Sequence, residues 1–145
     1  MKRQVLGWRE WAALPALGIE RIKCKVDTGA RTSALHAFFT ETYMEGGRAR
    51  VYFGLHPDQL STDRVIECTA DVADERTVSD SGGHREKRIV IVTPLVIGAI
   101  ERPIELTLTS RDSMRFRMLL GRTAMHGHFT VDPAASFLAG YPHLP

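Results

Sequence analysis

Between Arg21 and Asp27 the side chains alternate without a break, Ile22, Cys24 and Val26 to one side and Lys23, Lys25 and Asp27 to the other. That two-residue period belongs to a strand with one face in a core. It returns at Val51, Phe53 and Leu55, and again at Ile104, Leu106 and Leu108, where Glu105, Thr107 and Thr109 take the opposite face. No window holds a sustained 3.6-residue period. Only residues 123–125, just after Gly121-Arg122, and residues 15–18 have the make-up of a short helical turn. The pattern predicts a mainly β chain.

Glycine and proline punctuate the strands. Gly46-Gly47 separates residues 35–43 from residues 48–55, and Ser79-Asp80-Ser81-Gly82-Gly83 separates residues 65–78 from residues 84–97. Each reads as a hairpin, because glycine reaches the positive φ angles of a tight reversal. The strand over residues 104–109 is entered from a turn around Gly98 and Pro103, and residues 115–120 continue in strand-like fashion. Six or more short strands imply a small closed barrel or sandwich, which leaves few unpaired edges.

A chain of 145 residues is the size of one ordinary domain, able to bury roughly 70% of its unfolded surface, so residues 1–145 read as a single globular unit. The apolar stretches, residues 89–92 among them, are far too short to span a bilayer. Gly7-Trp8-Arg9-Glu10 interrupts the N-terminal stretch before a signal-peptide core can form. A cytoplasmic location is expected, with no membrane partner. Cys24 and Cys68 have no metal-type spacing and read as buried free thiols. The net charge of +2 gives no reason to expect nucleic acid.

The chemistry concentrates at Asp27-Thr28-Gly29-Ala30. A carboxylate at the end of a buried strand, followed by Thr, Gly and a small residue, suits a place where the backbone turns sharply beside a reacting group. The same tripeptide also serves ordinary turns, where the Asp and Thr side chains bond nearby amides. The order of landmarks is more telling. Residues 8–15 resemble the opening strand of a retropepsin lobe, residues 25–35 its catalytic loop, residues 79–83 its flap tip and residues 104–109 the following strand. Met118-Leu119-Leu120-Gly121-Arg122 resembles the apolar-apolar-Gly-Arg segment behind the active site. More narrowly, residues 25–36 with residues 117–122 resemble the bacterial family of RimK-associated ATP-dependent zinc proteases.

The resemblance implies a retropepsin-like (acid protease) barrel with one lobe per chain, active as a homodimer in which two Asp27 side chains flank one water. Thr28 would anchor the loop to the partner lobe. Gly29 and Ala30 would admit substrate backbone, and Gly82 and Gly83 would close over a peptide. Viral retropepsins carry an acidic residue where this chain has Arg31, paired there with the arginine of the Gly-Arg segment. Arg31 and Arg122 would then lie close together and seek an external anion, pointing to an acidic or glutamate-rich peptide or protein substrate. The family's association with ATP-grasp ligases that add glutamate points the same way. Arg85, Lys87 and Arg88 could extend the basic path; alternatively those flap charges are solvated and Arg31 pairs with Asp132, Glu105 or Asp112. No cofactor is expected. There is no His-Glu-x-x-His and no phosphate-binding Gly-rich loop, and the six histidines form no known ligand set, although His126 and His128 could share a strand face. A peptide-binding module partnering a ligase, or a metallopeptidase, are the other readings.

Overall fold

In the computed structural model, which describes residues 3–79, 82–110 and 115–144, the alternating stretches are strands. In chain order they are β1 (Gln4–Leu6), β2 (Arg9–Leu14), β3 (Ile19–Val26), β4 (Ser33–His36), β5 (Phe39–Glu45), β6 (Arg48–Leu55), β7 (Ile66–Asp71), β8 (Asp74–Ser79), β9 (Arg85–Ile97), β10 (Ile100–Thr109), β11 (Met118–Leu120) and β12 (Phe129–Val131), with a short helix α1 (Arg122–Met125). The strands β10-β4-β11-β3-β2-β9 lie side by side, and the β9–β10 pairing closes them into a six-stranded barrel. β8 is added outside β9. The mainly β closed barrel expected from the sequence is therefore the fold.

Alternation explains the closure. Ile22 and Cys24 on β3, Leu35 on β4, Leu106 on β10 and Met118 on β11 are fully enclosed and meet in one core, each large side chain contributing about 1.5–3 kcal/mol by leaving water. β11 lies between β3 and β4, parallel to the first (Leu120 beside Val26) and antiparallel to the second (Met118 beside Leu35). The two strands flanking residues 27–32 are thus not neighbours. The loop between them has to cross over the end of β11, which puts Asp27 directly beside the Gly121-Arg122 segment.

The hairpins differ from expectation in how their arms divide. The reversal at Gly46 and Gly47 is present, both with positive φ, but it joins β5 to β6 only, and residues 33–36 belong to the barrel. Likewise β8 and β9 form the second hairpin, whereas β7 pairs with β6 in a separate three-stranded sheet. The chain changes sheets at Val72 and Ala73, whose amides donate to Ala49 and Val90 respectively. Pro103 does not end a strand. It sits within β10 opposite Pro94 of β9, where neither residue is required to donate across the ladder. β1 and β12, which pair in parallel, were not foreseen, since three residues show no period. No helix among the described residues is long and apolar enough to cross a membrane.

Candidate active site

Asp27 begins where β3 ends. Its amide donates to the Leu120 carbonyl at 2.9 Å, and its own carbonyl accepts from the Ala30 amide at 3.3 Å. The side chain, partly exposed, takes the Gly29 amide on Oδ1 at 2.9 Å. A Cβ on Gly29 would stand 3.2 Å from that same oxygen, so any side chain there would crowd the carboxylate. Among the described residues no second carboxylate contacts Asp27.

Two devices behind the loop hold it. The Ala30 and Arg31 carbonyls accept the Arg122 and Thr123 amides at 2.8 and 3.0 Å, and Nη1 of Arg122 donates to the carbonyls of both Thr28 and Gly29, each at 3.0 Å. Beneath them the buried Ser33 hydroxyl accepts the Gly121 amide at 2.9 Å. Gly121 lies so close to the next turn that a Cβ would meet the Thr32 carbonyl carbon at 2.6 Å, a distance that side chains do not tolerate. The expectation that Arg122 is unpaired is thus corrected: one of its nitrogens is committed to the loop backbone. Arg31 is exposed and has no ion pair among the described residues. Of its suggested partners, Glu105 binds Arg76 at 2.6 Å and Asp132 accepts the Ala134 amide, while Asp112 lies outside the described residues.

Thr28, Arg31 and Arg122 share the wall of a cleft of about 660 Å³ with Arg3 and His126, over an apolar floor of Met125, Phe129 and Val131. Among the described residues no carboxylate lines it. Asp27, Gly29 and Ala30 are not among its lining residues, nor are Gly82 and Gly83, so the cleft lies beside the loop rather than over the carboxylate. Gly82 and Gly83 belong to the tip of the β8–β9 hairpin, Gly83 with φ +83°; Asp80 and Ser81 of that tip lie outside the described residues. The basic path suggested along this hairpin is reduced. Lys87 pairs with Glu75 at 2.8 Å and Arg88 with Glu86 at 3.1 Å, leaving Arg85 exposed.

Among the described residues no three His, Cys, Asp or Glu side chains gather into a metal-binding group, so no step is assigned to zinc. Cys24 and Cys68 are free and buried. Burial, and secondarily the nearby Glu10 charge, push the Cys24 thiol up to about 12, and burial pushes Cys68 up to about 11; neither is a nucleophile at neutral pH. Glu10 escaped notice in the sequence. Fully enclosed, it accepts the amides of Gly7 at 2.6 Å and Leu138 at 2.9 Å on Oε2, and of Ala139 at 3.1 Å on Oε1.

The profile of the RimB-like family, described as "Retropepsin-like aspartic endopeptidase RimB", matches residues 5–142. Proteins named "Probable alpha-L-glutamate ligase" are similar to the chain in sequence: that of Shewanella pealeana is 46% identical over 136 residues and that of Desulfotalea psychrophila 42% over 138. These alignments take in 94% and 95% of this chain but 30% of each relative, so the chain spans under a third of the length of the curated relatives it matches. In fold, the chain is similar to the crystal structure of Lpg0085 from Legionella pneumophila, a protein of unknown function, with a TM-score of 0.79 at 24% identity over 95% of this chain and 99% of that one.

Proposed function

The chain belongs to the RimB-like family of retropepsin-like aspartic endopeptidases, and from that premise we propose that it is an aspartic peptidase in which two copies each supply one Asp27. The observation carrying this reading is the partly exposed Asp27 carboxylate on a loop clamped from behind by Arg122. A lone carboxylate is a poor device for splitting an amide, because it cannot act as base and acid at once. Two within about 3 Å cannot both ionise cheaply and so share a proton. The ionised member then draws a proton from a water held between them while the protonated member hydrogen-bonds the scissile carbonyl, and the water oxygen attacks the carbonyl carbon.

In this reading Thr28 contacts the partner copy. Gly29 and Ala30 leave room for substrate backbone, and Gly82 and Gly83 close the hairpin over the peptide and exclude water. The substrate is an acidic, glutamate-rich peptide, favoured by the Arg3, Arg31, Arg122 and His126 cleft beside the loop. The ligase names of the longer relatives support a functional link to a glutamate-adding enzyme. Cytoplasmic reducing conditions suit two buried free thiols.

The test is turnover of a peptide pool containing α- and γ-linked oligoglutamates by the wild type and Asp27→Asn between acidic and neutral pH. Cleavage confined to wild type and indifferent to chelators supports the proposal. A folded, dimeric wild type that binds acidic peptides and cuts none of them would replace it with a peptide-binding module serving the ligase.

A further inference from the structure

Charge around the exposed side of the loop is one-sided. The adjoining cleft carries Arg3, Arg31, Arg122 and His126 with no carboxylate among the described residues of its lining, and Arg102 adds another guanidinium beside it through a 3.3 Å bond to the His126 carbonyl. If two copies bring their Asp27 side chains together, as in the function proposed above and on which this inference rests, the contact is isologous and each patch meets its own image. Thr28 and Arg31 of one copy then approach the same residues of the other, and both clefts open onto the seam. Opposed like charges at an interface cost several kcal/mol. Among the described residues of the loop and the cleft lining, the compensation is the Asp27 pair, which carries a single negative charge when it shares a proton.

We propose that the dimer is gated by an anion: a multivalent carboxylate or phosphate group must occupy the arginine-lined clefts before the two catalytic loops can meet. Guanidinium groups hold such oxyanions through paired, charge-assisted hydrogen bonds, and Nη1 of Arg122 is engaged by the loop while the guanidinium of Arg31 has no ion-pair partner among the described residues. An acidic substrate thereby assembles the enzyme that cuts it, and the subunit stays inactive without one.

Sedimentation equilibrium at fixed ionic strength tests this, comparing chloride alone with chloride partly replaced by citrate, inorganic phosphate or hexaglutamate. The wild-type dimer should tighten at least about tenfold, or ~1.4 kcal/mol, with a multivalent anion. Citrate and hexaglutamate acting together point to carboxylates, and phosphate acting as strongly points to any compact polyanion. A variant with Arg3→Gln and Arg31→Gln, which lack ion pairs among the described residues, should dimerise in chloride at least as tightly as wild type and respond to anions by less than about twofold. A wild-type dimer of equal strength in every anion overturns the gate and leaves the homodimer standing, as does a double variant that needs the anion as much as wild type does. A monomer under all conditions overturns the homodimer itself.

Discussion

Removing the carboxylate of Glu10 while keeping its shape, as Glu10→Gln does, should cost about 2–4 kcal/mol. The side chain is fully enclosed and binds three backbone amides, from Gly7 on one side and from Leu138 and Ala139 on the other. A glutamine can turn its oxygen toward Gly7 and Leu138, but its NH₂ then faces the Ala139 amide, donor against donor. One buried donor is orphaned, at about 1–3 kcal/mol, and the two surviving bonds fall from the ~1.5–3 kcal/mol of charged acceptors toward ~1 kcal/mol. Relief from burying an ion offsets part of this sum. Glu10→Ala orphans three donors and loses more, up to the point where residues 137–141 release into water and satisfy themselves there. Trp11 reports that release, because its ring stacks on Phe137 at 5.8 Å and lies 5.6 Å from Tyr141. Urea unfolding followed by tryptophan fluorescence should show a lower midpoint for Glu10→Gln and, for Glu10→Ala, an early change before the barrel transition. A Glu10→Gln protein within about 0.5 kcal/mol of wild type would refute the reasoning, because so small a loss lies below that of one ordinary hydrogen bond.

Arg122→Gln should lower kcat by roughly ten- to a hundredfold while costing at most about 1 kcal/mol of stability, since the exposed guanidinium fixes two loop carbonyls without holding the core together; peptidase kinetics beside a urea titration separate the two effects, and an unchanged kcat would contradict the clamp. The thiols predict a pH trend. Both have folded-state values raised above the ordinary 9.0, to about 12 for Cys24 and about 11 for Cys68, so the unfolded chain releases these protons first. Their contribution to stability is whole below about pH 8.5 and is lost as pH rises through 9 toward the folded values. Urea midpoints should fall between pH 8 and 10.5, less steeply in Cys24→Ala, and native Cys24 should resist iodoacetamide at pH 8 until urea is added.

The barrel was legible wherever a strand has one face inside, because burial writes a period of two along the chain. β3 is of this kind, whereas the end of β10 keeps the period in polarity alone, since Thr107 and Thr109 are buried along with Leu106 and Leu108. The loop at 27–30 and the Gly121-Arg122 segment were legible by their residues and order. What Arg122 grips was not, because the carbonyls of Thr28 and Gly29 become its neighbours only once β11 has entered between β3 and β4. Pro103 misled since proline usually ends a strand, and only the pairing with Pro94 removes the objection. Glu10 was silent for a related reason: within β2 it points inward like Ala12, and two of the three amides that make its burial tolerable come from more than 120 positions away.

The placement of β11 also bears on how the protein is made. Residues 118–122 leave the ribosome after the two strands they join, and until they arrive the slot between β3 and β4 stands open, Asp27 lacks the Leu120 carbonyl, and the carbonyls of Thr28 and Gly29 lack the Arg122 guanidinium. Pairings this distant in sequence are slow to form. A nascent copy can therefore hold the Asp-Thr-Gly sequence in full and still lack the clamped loop, so that in the proposed reading hydrolytic capacity is withheld until residues 118–122 have been made and have docked.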